Sequence, residues 1–243
     1  MPVHLGTAGG VTTLTLDRPA RRNALSATVI DRLRAGLARA DDDPGTRAVV
    51  LTHTGGTFCA GADLEEPPGA AELAALLREI VELPKPVVAR VDGHVRAGGL
   101  GLVGACDIAI AGEGATFAFT EARLGLTPAV ISLPLLPRLD PRAAGRYYLT
   151  GETFDAHEAV RAGLATVAVP DVGAALETVL DALRGASPQG VAESKRLVTA
   201  DVRAAFERDT ERLVALSERL FATDEAREGI AAFLERRRPA WRQ

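Results

Sequence analysis

Threonine and apolar residues alternate over Val11–Leu16 and give way to Asp17-Arg18-Pro19, the pattern of a strand closed by a turn. Ile30, Leu33 and Leu37 then share one helical face behind Ser26, a residue suited to N-capping, and Asp41-Asp42-Asp43-Pro44 stops the segment. Ala48-Val49-Val50-Leu51 reads as a buried strand running into a His53–Gly56 loop. The pattern then repeats. Leu73, Leu76, Leu77, Ile80 and Leu83 line a second helix, Pro84-Lys85-Pro86 breaks it, and Val87–Val91 forms the next strand. After the glycine-rich stretch 92–104, Asp107–Ala111 predicts a third buried strand and Thr116–Phe119 a short β segment. Strands alternating with helices imply a mostly parallel α/β sheet with right-handed crossovers, whose ligands sit beyond the carboxyl ends of the strands. Past Pro170 only helices are predicted, with Phe206, Thr210, Leu213, Ser217 and Leu220 in one row. The division is therefore a core over 1–170 and a helical region over 171–243, joined without a long polar linker.

Composition narrows the class. Two cysteines, Cys59 and Cys106, cannot build a disulfide framework and lack metal-ligand spacing, so a reducing cytoplasm and no metal are expected. With 28 basic against 32 acidic residues the net charge is −4, which argues against nucleic acid as a partner. The uncharged segment 1–16 lacks the basic start of a signal peptide, and no stretch reaches the roughly 20 apolar residues that cross a bilayer, so no membrane insertion is expected.

Three segments can carry chemistry. Thr57–Leu64 places small residues where a strand ends, and backbone N–H groups at such a turn can hold a developing oxyanion, each worth about 3 kcal/mol in a transition state. The plain alternative is a tight loop. Gly93–Leu102 opens a helix after a strand but has neither the dinucleotide-binding nor the P-loop spacing, so it offers N–H donors at a helix start or merely close packing. Glu121 lies in an apolar run whose burial would raise its pKa into the range useful for proton transfer; the plain alternative is an ion pair with Arg123.

At these segments the chain resembles the crotonase superfamily of enoyl-CoA hydratases and isomerases. The matching residues run in order: Leu16–Pro19 with Asn23-Ala24-Leu25, Phe58–Leu64, Pro84–Val87, Asp92-Gly93, Ala105-Cys106-Asp107, and Glu228-Gly229 with Phe233, Arg236 and Pro239. The resemblance implies a spiral of β-β-α turns, followed by helices that build a homotrimer or a homohexamer. It also implies an acyl-CoA substrate, so that coenzyme A enters with the substrate and no separate cofactor is needed. By motif position it assigns the oxyanion donors to Ala60 and Gly98, the general acid/base to Glu121, and a bracing role to Asp63. Ala62, Asp63, Gly99 and Gly101 would border the substrate, and Arg21 or Arg22 would meet the nucleotide phosphates.

One departure bears on the reaction. Hydratases of the standard type carry a second glutamate shortly after the glycine run, where this chain has Gly101. A lone Glu121 is compatible with hydration or dehydration of a short or branched acyl-CoA. It is also compatible with moving a double bond between the Δ3 and Δ2 positions, or with binding without turnover. His53, His94 and His157 read as loop or helix-start residues, and Tyr147 and Tyr148 as core or interface.

Overall fold

The computed structural model describes residues 1–242. Ten strands form two sheets. The larger has the order β1 (Val3–Ala8), β2 (Val11–Leu16), β3 (Ala48–His53), β5 (Val87–Val91), β7 (Ile108–Gly112), β10 (Val167–Val169), antiparallel only between β1 and β2. The smaller has β4 (Thr57–Cys59), β6 (His94–Arg96), β8 (Thr116–Ala118) and β9 (Phe154–Asp155). Between them the chain repeats one unit three times: β3-β4 then helix α2 (Ala70–Glu82), β5-β6 then α3 (Gly98–Ala105), and β7-β8 then α4 (Ser132–Leu135). Each unit gives its first strand to the large sheet and its second to the small one, so the second strands all end on the same side, where their loops meet.

The large sheet is covered on both faces, which is why its central strands are continuous apolar runs. Leu14, Val49, Leu51, Val87 and Ala89 face the core shared with α1 (Ala27–Asp42) and α2. The alternate residues Val11, Ala48, Val50, Val88 and Ile110 pack against Val172, Leu176 and Leu180 of α7 (Val172–Gly185). The helices after residue 170 thus play different parts. Whereas α7 seals the sheet, α9 (Ala200–Phe221) lies against α2 and α4, after α5 (Pro141–Thr150), α6 (Ala156–Arg161) and α8 (Pro188–Val198). Helix α10 (Asp224–Leu234) approaches the turn Glu121–Leu124 so closely that a Cβ on Gly229 would lie 2.5 Å from the Leu124 carbonyl carbon. Only glycine permits that approach.

Two expectations change in detail. Ser26 does precede α1, but its hydroxyl accepts from Arg18 Nη1 at 3.2 Å instead of capping the helix. The N-terminal segment holds a strand that the Val11–Leu16 pattern did not include. Gly9 and Gly10, both at positive φ (55° and 75°), form the two-residue hairpin that turns β1 onto β2.

Candidate active site

The loops at the ends of β4, β6 and β8 enclose a cleft of about 500 Å³ with a mainly apolar wall. Leu73 of α2, the 128–131 segment before α4, and Phe221 of α9 complete it, with Phe233 of α10.

The loop after β4 is held to residues 22–25 by three backbone hydrogen bonds: Ala60 N–H to the Arg22 carbonyl (3.0 Å), Leu25 N–H to the Gly61 carbonyl (2.8 Å) and Asp63 N–H to the Leu25 carbonyl (2.8 Å). These bonds decide which amide is free. Ala60, expected as an oxyanion donor, has its N–H committed to Arg22. The Ala62 N–H has no acceptor among the described residues, and Ala62 lies on the cleft wall. Gly61 makes the turn possible, with φ of +92° and room for no Cβ, since one would lie 2.8 Å from Ala97 Cβ. Asp63, expected to border the substrate, is buried and does not line the cleft; its Oδ1 accepts the Glu65 N–H at 3.3 Å and its Oδ2 lies 3.8 Å from Arg18 Nη1.

Across from this loop, Ala97 stands at the start of α3 with φ of 46°, an unusual conformation for a residue with a side chain, held by its N–H on the Ala118 carbonyl. That places Gly98 on the wall, its N–H without an acceptor among the described residues. A Cβ on Gly98 would lie 3.8 Å from the Ala62 nitrogen, so the two free amides are neighbours at a helix start. Gly99 and Gly101, expected to border the substrate, do not line the cleft. Gly99 is packed on Cys59, and Gly101 is backed by Ile131 and Leu77. Both serve close helix packing. A side chain at 101 is excluded because Ile131 Cγ2 would sit 2.5 Å from its Cβ.

Glu121 opens the turn after β8, and its carbonyl accepts the N–H groups of Gly125 and Leu126. The residue borders the cleft, yet its Oε2 is shut off from solvent and has no hydrogen-bond partner. Burial disfavours the ionised form and pushes its pKa up to about 7, slightly offset by its own backbone N–H. The alternative, an ion pair with Arg123, does not form; Arg123 Nε donates to the Thr150 carbonyl at 3.1 Å. Near Glu121, the Tyr148 ring lies tilted against Phe119 with centroids 4.5 Å apart, and its hydroxyl accepts from Ser132 Oγ at 3.3 Å. A desolvated carboxyl and two free amides on one apolar wall can hold an acyl oxygen while a proton moves beside it.

The family model described as enoyl-CoA hydratase/isomerase matches residues 6–243. The chain belongs to the enoyl-CoA hydratase/isomerase family. It is accordingly an enzyme, and it has the crotonase fold. An enoyl-CoA hydratase from Mycobacterium avium superposes with a TM-score of 0.93 at 55% identity, covering 99% of this chain and 98% of that one. The enoyl-CoA hydratase EchA19 of Mycobacterium tuberculosis is 36% identical over 93% of this chain and 91% of its own. The carnitinyl-CoA dehydratase of Proteus mirabilis is 32% identical over 99% and 98%.

Several other residues can be placed against the family's pattern. Arg21 is exposed and tied to Glu65 at 2.7 Å, whereas Arg22 is exposed with its side chain unpartnered among the described residues; neither lines the cleft. His94 is exposed and bonded to Thr116, and His53 is half-buried against Phe58, so neither stands on the cleft wall. The pattern reading did not pick out Glu218 of α9, which does line the cleft. Its only sequence signal is position, one residue after Ser217 in the row that faces inward. No described helix is long and apolar enough to cross a membrane.

Proposed function

We propose that this enzyme adds water to the double bond of a short or branched enoyl-CoA, or removes it from the 3-hydroxyacyl-CoA, with Glu121 as its one acid/base group. The observation that carries the reading is the solvent-excluded Glu121 carboxyl, with a pKa of about 7, on the same wall as two unpaired amides. The N–H groups of Ala62 and Gly98 hold the thioester oxygen. In hydration the Glu121 carboxylate takes a proton from water as the water oxygen bonds to Cβ, and the π electrons move onto the thioester oxygen. The enolate then collapses, taking the proton from the Glu121 carboxylic acid at Cα, which restores the carboxylate. Coenzyme A arrives as part of the substrate, and of the two arginines Arg22, unpaired among the described residues while Arg21 is tied to Glu65, is the one free to meet a phosphate.

One observation favours a second reading. With Ile131 filling the space beside Gly101, no second carboxylate stands there to orient water, and a single glutamate suffices to carry a proton between two carbons in Δ3-to-Δ2 isomerisation. Incubation of the purified protein with short conjugated, unconjugated and branched enoyl-CoA esters separates the two: a mass gain of one water supports hydration, and a moved double bond at constant mass supports isomerisation. If neither occurs, the chain binds acyl-CoA without turnover.

The reading extends to assembly and place. Leu149, Leu197 and Val198 are 82%, 79% and 77% exposed, apolar surface of the kind that a homotrimer or homohexamer would cover, and light scattering measures that assembly. Two buried free thiols, Cys59 and Cys106, suit the cytoplasm.

A further inference from the structure

The amide left free after β4 depends on where residues 22–25 lie, and one side chain anchors them. Asn23 is buried and does not line the cleft. Its Oδ1 accepts the Arg18 N–H at 2.7 Å, and its Nδ2 donates to the Thr54 carbonyl at 3.0 Å and to the Thr57 carbonyl at 2.7 Å. A backbone N–H can only donate and a carbonyl only accept, so these partners fix which way the side-chain amide points and engage its oxygen and both of its protons. Thr54 and Thr57 stand on either side of the Gly55-Gly56 turn, and Thr57 is the first residue of β4. The carbonyl of the preceding residue, Arg22, takes the Ala60 N–H just beyond the other end of that strand. Residues 22 and 23 therefore grip β4 at both ends. Both lie in the left-handed region, with φ of 51° and 53°, a conformation that asparagine tolerates better than most residues with a Cβ.

We propose that Asn23 is a positioning residue for the oxyanion site. By fixing the Arg22 carbonyl at the end of β4 it commits the Ala60 amide and leaves the Ala62 amide, two residues on, for the thioester oxygen. The inference rests on the reading that acyl-CoA esters occupy the cleft with that oxygen on Ala62 and Gly98. Without the side-chain amide the 18–25 segment can shift along β4, and a displacement of about 1 Å at a reacting group is enough to cost about 10²-fold in rate. Asn23 itself moves no proton.

Infrared difference spectra of bound butyryl-CoA, isotopically labelled at the thioester carbonyl, test this without turnover, because amides donating to the oxygen lower the carbonyl stretching frequency. The unaltered chain and Glu121→Gln should both show the lowered frequency. Asn23→Gly keeps the left-handed backbone and removes the three side-chain bonds, so its shift should be clearly smaller. Its kcat on an enoyl-CoA should fall about 10²-fold with KM little changed, the split expected when only transition-state contacts are lost. A loss of folding alone would reduce the bound fraction and leave the frequency of that fraction where it was. An undiminished carbonyl shift in Asn23→Gly overturns the proposal whatever its kcat. Asn23→Asp, nearly isosteric and still an acceptor for Arg18 but with no proton for Thr54 or Thr57, carries the same test should the glycine variant not fold. Amide hydrogen exchange in the unaltered chain needs no variant, and an Ala60 amide that exchanges as fast as that of Ala62 also overturns the proposal. No carbonyl shift in the unaltered chain overturns the oxyanion reading and the inference with it, an outcome distinct from a shift that is indifferent to Asn23.

Discussion

Ile131 and Gly101 are interlocked: a Cβ at position 101 would lie 2.5 Å from Ile131 Cγ2 and 3.0 Å from Ile131 Cβ. Ile131 is on the cleft wall and Gly101 is behind it, so the place where a second carboxylate would enter is occupied by an apolar side chain. Gly101→Glu should therefore destabilise the fold by about 1–3 kcal/mol through overpacking and should not raise hydratase activity. Combined with Ile131→Ala, the same substitution should recover most of that stability, because the space is vacated. Thermal melts of the two variants measure this. A single variant as stable as the unaltered chain would show that the interlock is not real.

Proton affinity at Glu121 links activity and stability with opposite signs. The proposed base is the carboxylate, so kcat/KM for hydration should rise with pH through about 7 and level off above it. Stability runs the other way. The folded protein holds this proton more tightly than the unfolded chain, whose ordinary value is 4.5, so the group costs stability as pH climbs from about 4.5 to about 7, by up to about 3 kcal/mol. Glu121→Gln should lose the activity and also this slope. Urea unfolding at pH 5 and pH 8 should show the glutamine variant gaining on the unaltered chain at the higher pH, and parallel curves would rule the burial effect out.

The strands and helices that bury a face were legible, because periodicity reports burial: Val11–Leu16, Ala48–Leu51 and Val87–Val91 all lie in the large sheet. The three-residue strands β4 and β6 are too short to show a period, and their pairing comes from the turns of the spiral. At the site, Gly98 and Glu121 lie on the cleft wall, whereas Asp63 is buried away from it. Ala60 and Ala62 could not be told apart, since the choice depends on which amide the Arg22 carbonyl captures, a contact between residues 38 positions apart in sequence. Gly99 and Gly101 illustrate the same limit, for a glycine run marks close approach without saying whether ligand or protein approaches. Glu218 was hidden because α9 reaches the cleft only through its packing on α2 and α4.

Lys195 on α8 makes a buried ion pair with Asp107 (2.8 Å) and also donates to the carbonyls of Ile80 (2.9 Å) and Lys85 (3.1 Å). It thereby ties α8 to the end of α2 and the approach to β5. Desolvation lowers its pKa and raises that of Asp107, with each partly restored by the other. Lys195→Met leaves the buried Asp107 carboxylate without its ion-pair partner, with the Val87 N–H and the field of Arg138 as its remaining support, at a cost of about 3–5 kcal/mol. A second change, Asp107→Asn, should return a large part of it, and a double-mutant cycle by urea unfolding reads the coupling.

Arg21 and Arg22 should differ in their effect on CoA-ester binding. Arg21 is already paired with Glu65, whereas Arg22 is not, so Arg22→Ala should weaken binding more, and the loss should shrink as salt is raised. Equal affinity of both variants and the unaltered chain at low salt would remove phosphate contact from this segment.

Gly98→Ala isolates the oxyanion site from the fold. The new methyl would stand 3.3 Å from Leu25 Cδ1 and 3.8 Å from the Ala62 nitrogen, tight enough to demand a small shift but not a collapse. Alanine in place of glycine in a helix otherwise favours folding by up to about 1 kcal/mol, so the melting temperature should change little. The thioester oxygen, however, must approach the amides through the space which that methyl fills. We expect kcat to fall on the order of 10²–10³-fold, the loss typical of one oxyanion donor, while the folded structure persists by circular dichroism. Full activity in this variant would mean that the oxygen is held elsewhere, and would remove both the Gly98 and the Ala62 amides from the mechanism.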